Sequence, residues 1–245
     1  MTQSATNILS AIGTAFNEEF AKQQSPSPYF ADFVKALQNC EGKLNEDTGK
    51  NAAELITMVQ HMPNMLDQTV DNAVSRCLIP YIEHLDWYQI FDGDGIDKTF
   101  AQGLLAGQIV GKRGIVRAED VFVGLFLLAP GVTYPLHQHP ALEVYYVLSG
   151  SINIRHGRAK APMNIQPGET SVTPPHQVHE LQTGESPCLI AYIWTGDMKG
   201  ENWWWEEQKT GLWDRICWER QANSSWAVTK REALSEAEIM RSGDH

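Results

Sequence analysis

The chain has 245 residues, of which 42% are hydrophobic and 20% charged. This excludes a disordered polymer and fits one large domain or a domain with an extension. Lys and Arg number 19 against 30 Asp and Glu, a formal net charge of −11, which argues against nucleic acid and anionic membrane surfaces as partners.

The opening stretch, Met1 to Phe20, contains no Lys or Arg and no long apolar core, so it does not read as a secretion signal. Ile8, Ile12, Phe16 and Phe20 recur every four residues and predict a helix with one apolar stripe. Ser25-Pro26-Ser27-Pro28 breaks it and starts a second helix that places Phe30, Phe33, Val34 and Leu37 on one face. Two more helices are predicted over Ala52 to Gln60 and Leu66 to Leu78, the latter ended by Pro80. The run Asp92 to Asp97 starts like a calcium loop, but Ile96 and Gly103 stand where ligands are needed, so it reads as an ordinary loop.

From about Phe100 the texture changes to short apolar runs separated by turn residues. Strands are predicted over Leu104–Val110, Val121–Ala129, Leu142–Leu148, Ile152–Arg155, Ser171–Thr173 and Cys188–Trp194. Strands so spaced suggest a closed or sandwiched antiparallel sheet. Gly107 to Arg113 fails as a phosphate loop, being one residue short between its glycines and lacking the final Ser or Thr. Seven of the eight tryptophans lie at or beyond Trp194, and the expectation is that they dock the tail onto the barrel or a second subunit. The predicted units are thus a helical region 1–99, a barrel 100–200 and a tryptophan-rich segment 201–245. The four cysteines, Cys40, Cys77, Cys188 and Cys217, form no CxxC pair and read as reduced thiols. A cytoplasmic location follows as an expectation, as does a possible homodimer.

The informative stretch is Pro130 to Gly150, PGVTYPLHQHPALEVYYVLSG. On a strand, residues two apart share a face, so His137 and His139 point one way, as do Glu143 and Tyr145. Leu142, Val144, Tyr146 and Leu148 then face outwards. A second stretch, Pro174-Pro175-His176-Gln177-Val178-His179, offers two further imidazoles, of which the three-residue spacing lets one reach the same centre.

These stretches resemble the paired motifs of the cupin superfamily. Gly131, His137, His139, Glu143 and Gly150 match the first motif, G-x5-HxH-x3-E-x6-G, throughout. Gly168, Pro174 and His179 match the second, which departs where His176 replaces a glycine and where no Asn closes it. The resemblance implies a mainly β fold with α, a double-stranded β-helix barrel preceded by an α-helical extension. It also implies one divalent transition metal (Zn, Fe, Mn, Co or Ni) on His137, His139, Glu143 and His179, with His176 at the rim or supporting a ligand from behind. Three imidazoles and a carboxylate leave positions open on such an ion for a substrate.

Within the superfamily, the HxH-x3-E-x-Y pattern, Tyr134 five residues before the second histidine, the helical extension and the length are similar to the cupin-type dimethylsulfoniopropionate (DMSP) lyases of the DddL type. That resemblance implies β-elimination of dimethyl sulfide from DMSP, leaving acrylate. It assigns the general base to Tyr145, with Tyr134 as a second candidate that orients the carboxylate or shares the role. Tyr192 and Trp194, two apart on one strand, are candidates for the aromatic faces that hold the sulfonium. A cupin Fe(II) dioxygenase, an isomerase acting beside a carboxylate and a non-enzymatic sensor barrel are the competing readings.

Overall fold

The computed structural model describes residues 4–46 and 62–244. The helix predicted over Ala52 to Gln60 lies outside the described residues. The chain begins with α1 (Ala5–Phe20), capped by the Ser4 side chain, which accepts from the Asn7 amide at 3.2 Å. Next come α2 (Tyr29–Gln38), β1 (Lys43–Leu44), α3 (Met62–Asp67), α4 (Ala73–Leu78), a 3₁₀ turn (Ile79–His84), β2 (Trp87–Gln89) and α5 (Lys98–Gly103).

The helix predicted over Leu66 to Leu78 is two helices. Asn72 breaks it: its side chain accepts from the Ser75 amide while the Ser75 hydroxyl accepts from the Asn72 amide, and this reciprocal box starts α4 anew. Pro80 sits inside the following 3₁₀ turn. The two strands β1 and β2 were not foreseen in a region read as helical.

Two sheets follow. The first contains β3 (Leu104–Val110), β4 (Val116–Arg117), β5 (Val121–Leu128), β7 (Ala141–Ser149), β10 (Thr170–Thr173) and β12 (Cys188–Gly196), in the order β1-β4-β3-β5-β12-β7-β10, with β2 also on β3. The second contains β6 (Thr133–Gln138), β8 (Ile152–Arg155), β9 (Met163–Ile165), β11 (His179–Thr183), β13 (Asn202–Glu207), β14 (Trp213–Arg220) and β15 (Trp226–Ala233), in the order β15-β14-β13-β6-β11-β8-β9. A last helix, α6 (Glu236–Arg241), closes the fold.

The central strands of the first sheet are buried on both faces, which explains their unbroken apolar runs. Along β7 the period of two separates two cores. Tyr145 and Val147 face the interior between the sheets, with Phe126, Ile190 and Tyr192. Val144, Tyr146 and Leu148 face the other way and pack beneath the helices with Ile12, Phe16 and Phe33. The Phe16 ring meets Tyr146 edge-on at 6.0 Å. Asn72 donates to the Tyr146 hydroxyl at 2.7 Å.

The tryptophan-rich segment is woven into the second sheet. β13 pairs with β6, setting Trp203 opposite Gln138 and Trp204 opposite His137. Trp204 enters the interior core, while Trp205 joins a small core with Leu136 and Val178.

Candidate active site

His137 lies on β6, His139 just beyond it, Glu143 near the start of β7, and His179 at the start of β11. The antiparallel pairing of β6 with β11 sets His137 directly opposite His179. The amide of His176 donates to the His139 carbonyl at 2.8 Å, tying the two motif stretches together. His176 itself adopts φ 64° in the turn before β11 and is not among the clustered donors.

One ligand atom from each of His137, His139, Glu143 and His179 lies within 4.8 Å of all the others, and all four residues are buried. Each imidazole has its Nδ1 against a backbone carbonyl: His137 on Pro135 at 2.7 Å, His139 on Ala141 at 3.1 Å and His179 on Gln177 at 3.0 Å. Carbonyls only accept, so the Nδ1 atoms carry protons and the Nε2 atoms face inwards, where each can bind a cation or, when protonated, donate to Glu143. His139 Nε2 and His179 Nε2 stand 3.1 and 3.2 Å from one oxygen of Glu143. His137 Nε2 and His179 Nε2 are both buried without a well-aligned hydrogen-bond partner. Burial, with His179 and His139 adding to it, keeps His137 well below its ordinary pKa and therefore neutral. Against the penalty of burial, His139 and His179 hold the Glu143 carboxyl well below the usual carboxylate range. Three inward Nε2 atoms and one anionic carboxylate, with two of the buried nitrogens lacking a hydrogen bond, form a donor set that a divalent cation satisfies.

Trp194 donates its indole N–H to the other oxygen of Glu143, and its ring lies 4.5 Å from that of His139. Tyr134 stacks on His137 at 3.7 Å. Trp194, Tyr134 and Tyr192 line a cavity of about 170 Å³ whose remaining walls include Tyr88, Phe91, Gln108, Phe126, Arg220 and Trp226. Tyr192 stacks on Phe126 at 4.0 Å. The cavity thus ends on the indole and phenol that touch the donor cluster. Tyr145 stands opposite Tyr192 on the neighbouring strand, and its hydroxyl is buried with no well-aligned hydrogen-bond partner. Burial first and the Glu143 charge second hold its phenol well above the ordinary value when no cation is bound. Burial, with Glu143 adding, does the same to Tyr134.

Sequence reasoning missed much of the cavity wall. Tyr88, Arg220 and Trp226 come from segments far apart in the chain, and only Gln108, a polar residue within an apolar strand, carried a local signal. The ring of His156 is 6.3 Å from that of His179, and its Nε2 lies 3.1 Å from the Thr173 hydroxyl.

Comparison with known proteins adds the decisive observation. The family model for dimethylsulfoniopropionate lyase matches residues 14–190. The chain belongs to the dimethylsulfoniopropionate lyase family. A protein of Cereibacter sphaeroides provisionally named dimethylsulfoniopropionate lyase DddL is 32% identical over 148 residues, covering 58% of this chain and 61% of the relative. Dimethylsulfoniopropionate lyase DddQ of Ruegeria pomeroyi is 24% identical over 113 residues, covering 46% and 56%. The chain therefore matches less than two thirds of the length of either curated relative. The crystal structure of DMSP lyase DddQ from Ruegeria pomeroyi superposes with a TM-score of 0.57 at 20% identity, covering 77% of this chain and 95% of that one. A chain from the crystal structures of the DMSP lyases RdDddP and RnDddQII gives 0.55 at 20% identity, covering 79% and 95%. The fold of this dimethylsulfoniopropionate lyase family member is accordingly the mainly β cupin double-stranded β-helix, with α1 and α2 preceding the sheets. Among the described residues no helix is long and apolar enough to cross a membrane.

Proposed function

We propose that this protein is a metal-dependent carbon–sulfur lyase that cleaves DMSP to dimethyl sulfide and acrylate. The observation that carries the reading is the buried cluster of inward-facing donors at the end of an aromatic cavity, in a chain of this family. His137, His139, Glu143 and His179 hold one divalent ion of the Fe, Mn, Co, Ni or Zn group. When bound, that ion supplies a Lewis acid for the substrate carboxylate and a positive charge that lowers the neighbouring phenol.

The chain's own residues supply the rest. Tyr145 takes the proton from the carbon next to the carboxylate. Its hydroxyl is buried beside Glu143 without a well-aligned hydrogen bond, and it acts as the base in its phenolate form, which the bound ion's charge favours. The C–H electron pair becomes the carbon–carbon double bond, the C–S bond breaks, and dimethyl sulfide leaves with the bonding pair. Tyr134, flat against His137 and lining the cavity, orients the carboxylate or shares the proton. The faces of Tyr192 and Trp194 receive the dimethylsulfonium, which prefers a π surface to bulk apolar contact.

Purified protein, reconstituted with each candidate metal, is incubated with DMSP and the headspace assayed for dimethyl sulfide, beside chelated and Tyr145→Phe samples. Metal-dependent release that Tyr145→Phe abolishes supports the reading. Folded, metal-loaded protein that releases none, but consumes oxygen with iron, removes the lyase in favour of a dioxygenase.

A further inference from the structure

We infer that Arg158 and Asp244 form a latch that positions His179, a role that rests on the reading of His179 as a metal ligand. His179 opens β11 directly after a turn, residues 174–178, and a metal ligand at the end of a turn must be held to within about half an ångström by its surroundings. Three features do this, and all involve α6 or the residues flanking it.

The first is a backbone bond. The amide of Val178, next to the ligand, donates to the Ser242 carbonyl at 3.0 Å. The second is a core: Val178 is fully buried against Leu136 and Trp205, with Ile239 of α6 and Leu234 closing over them. Leu136 and Val178 directly precede His137 and His179, so this core supports the backs of two donors at once. The third is the ion pair. Asp244 is almost completely buried. Its carboxylate accepts from the Arg158 amide at 2.6 Å and from the Arg158 Nε, while the guanidinium lies over Trp205 and Trp213 at 5.6 and 5.3 Å.

Two glycines allow the close approach. A side chain on Gly157, at φ +119°, would place its Cβ 2.7 Å from an Asp244 oxygen. One on Gly243, at φ +68°, would place it 2.3 Å from the Gln177 side chain. The loop holding Arg158 is also anchored beside the ligand: Arg155 donates to the Arg158 carbonyl and pairs with Glu180, the residue after His179, at 2.8 Å. Arg158 and Asp244 touch no reacting atom. They act through the Val178–His179 backbone.

The test uses the full chain, stripped of metal and titrated with Co(II), whose visible absorption reports the geometry of its ligands. Asp244→Asn keeps the shape of the side chain but turns a donor towards the Arg158 Nε. It is expected to weaken Co(II) affinity about tenfold and to alter the visible spectrum. Tyr146→Phe, on the helix-facing side of β7, serves as control: it lowers Tm but leaves both readouts unchanged. Should Asp244→Asn not fold, Arg158→Lys, which keeps the charge and loses the fork, is read in the same way. Lower Tm with wild-type Co(II) affinity and spectrum overturns the latch alone. A wild type that takes up no Co(II) overturns the metal reading and the latch with it.

Discussion

The indole N–H of Trp194 donates to one oxygen of Glu143, leaving the other oxygen to face His139 and His179 at 3.1 and 3.2 Å. A cavity-wall residue therefore also sets the direction of a carboxylate in the donor cluster. The two roles separate by substitution. Trp194→Phe keeps an aromatic face and loses the donor, so metal affinity is expected to fall roughly tenfold with little change in KM. Trp194→Leu loses both and is expected to raise KM as well. Metal titration and steady-state kinetics on the pair check this.

Tyr145 and Tyr146 are neighbours on opposite faces of β7, and their hydroxyl deletions are expected to diverge. Tyr145→Phe should cut kcat by roughly 10²–10⁴. It removes a buried hydroxyl that lies beside Glu143 and makes no well-aligned hydrogen bond, so Tm should be little changed. Calorimetry beside the headspace assay reads both.

Tyr146→Phe does the reverse. It strands the buried Asn72 amide that donates to the hydroxyl, at a cost of about 1–3 kcal/mol, and should leave kcat near wild type. Chemical denaturation gives the first quantity and turnover the second.

The metal-free protein should lose stability on acidification in a defined window. Burial holds His137 well below its ordinary value, and burial with His179 pulls His156 down to about 4. Below the unfolded value of about 6.5 the unfolded chain binds protons that these folded histidines refuse. Stability therefore falls as pH drops, by up to about 1.4 kcal/mol per unit for each, until the folded group titrates. Glu143, also lowered, adds a loss that begins below the ordinary carboxylate range. Bound metal competes with these protons, so Tm against pH should shift to lower pH on loading.

Chelation should abolish dimethyl sulfide release and lower Tm, and restoring the native ion should reverse both. Metal at one hundred times its Kd adds about 2.7 kcal/mol. Unchanged Tm across a metal titration would count against a built site.

The strands were legible where turn residues bounded an apolar run buried on both faces, as in Leu104–Val110, or an alternating one, as in Ile152–Arg155. Leu104–Val110 and Ile152–Arg155 have in the structure the bounds read from the sequence. The four clustered donors were legible because strand period and motif spacing are local. Long-range pairings were not. Tyr88, Arg220 and Trp226 meet across the chain to wall the cavity, and Arg158 and Asp244 are 86 positions apart. The break before α4 was hidden because Leu66 to Leu78 keeps helical spacing, and only the Asn72–Ser75 box interrupts it.

The two-sided burial of the first sheet has a practical consequence. A barrel made without residues 1–84 would lay bare Val144, Tyr146, Leu148, Ile193 and their neighbours as one continuous greasy surface. Such a truncation should aggregate rather than yield a smaller working protein. The helices are in this sense the barrel's solubility coat, and efforts to miniaturise the protein should begin by recolouring that face with polar residues.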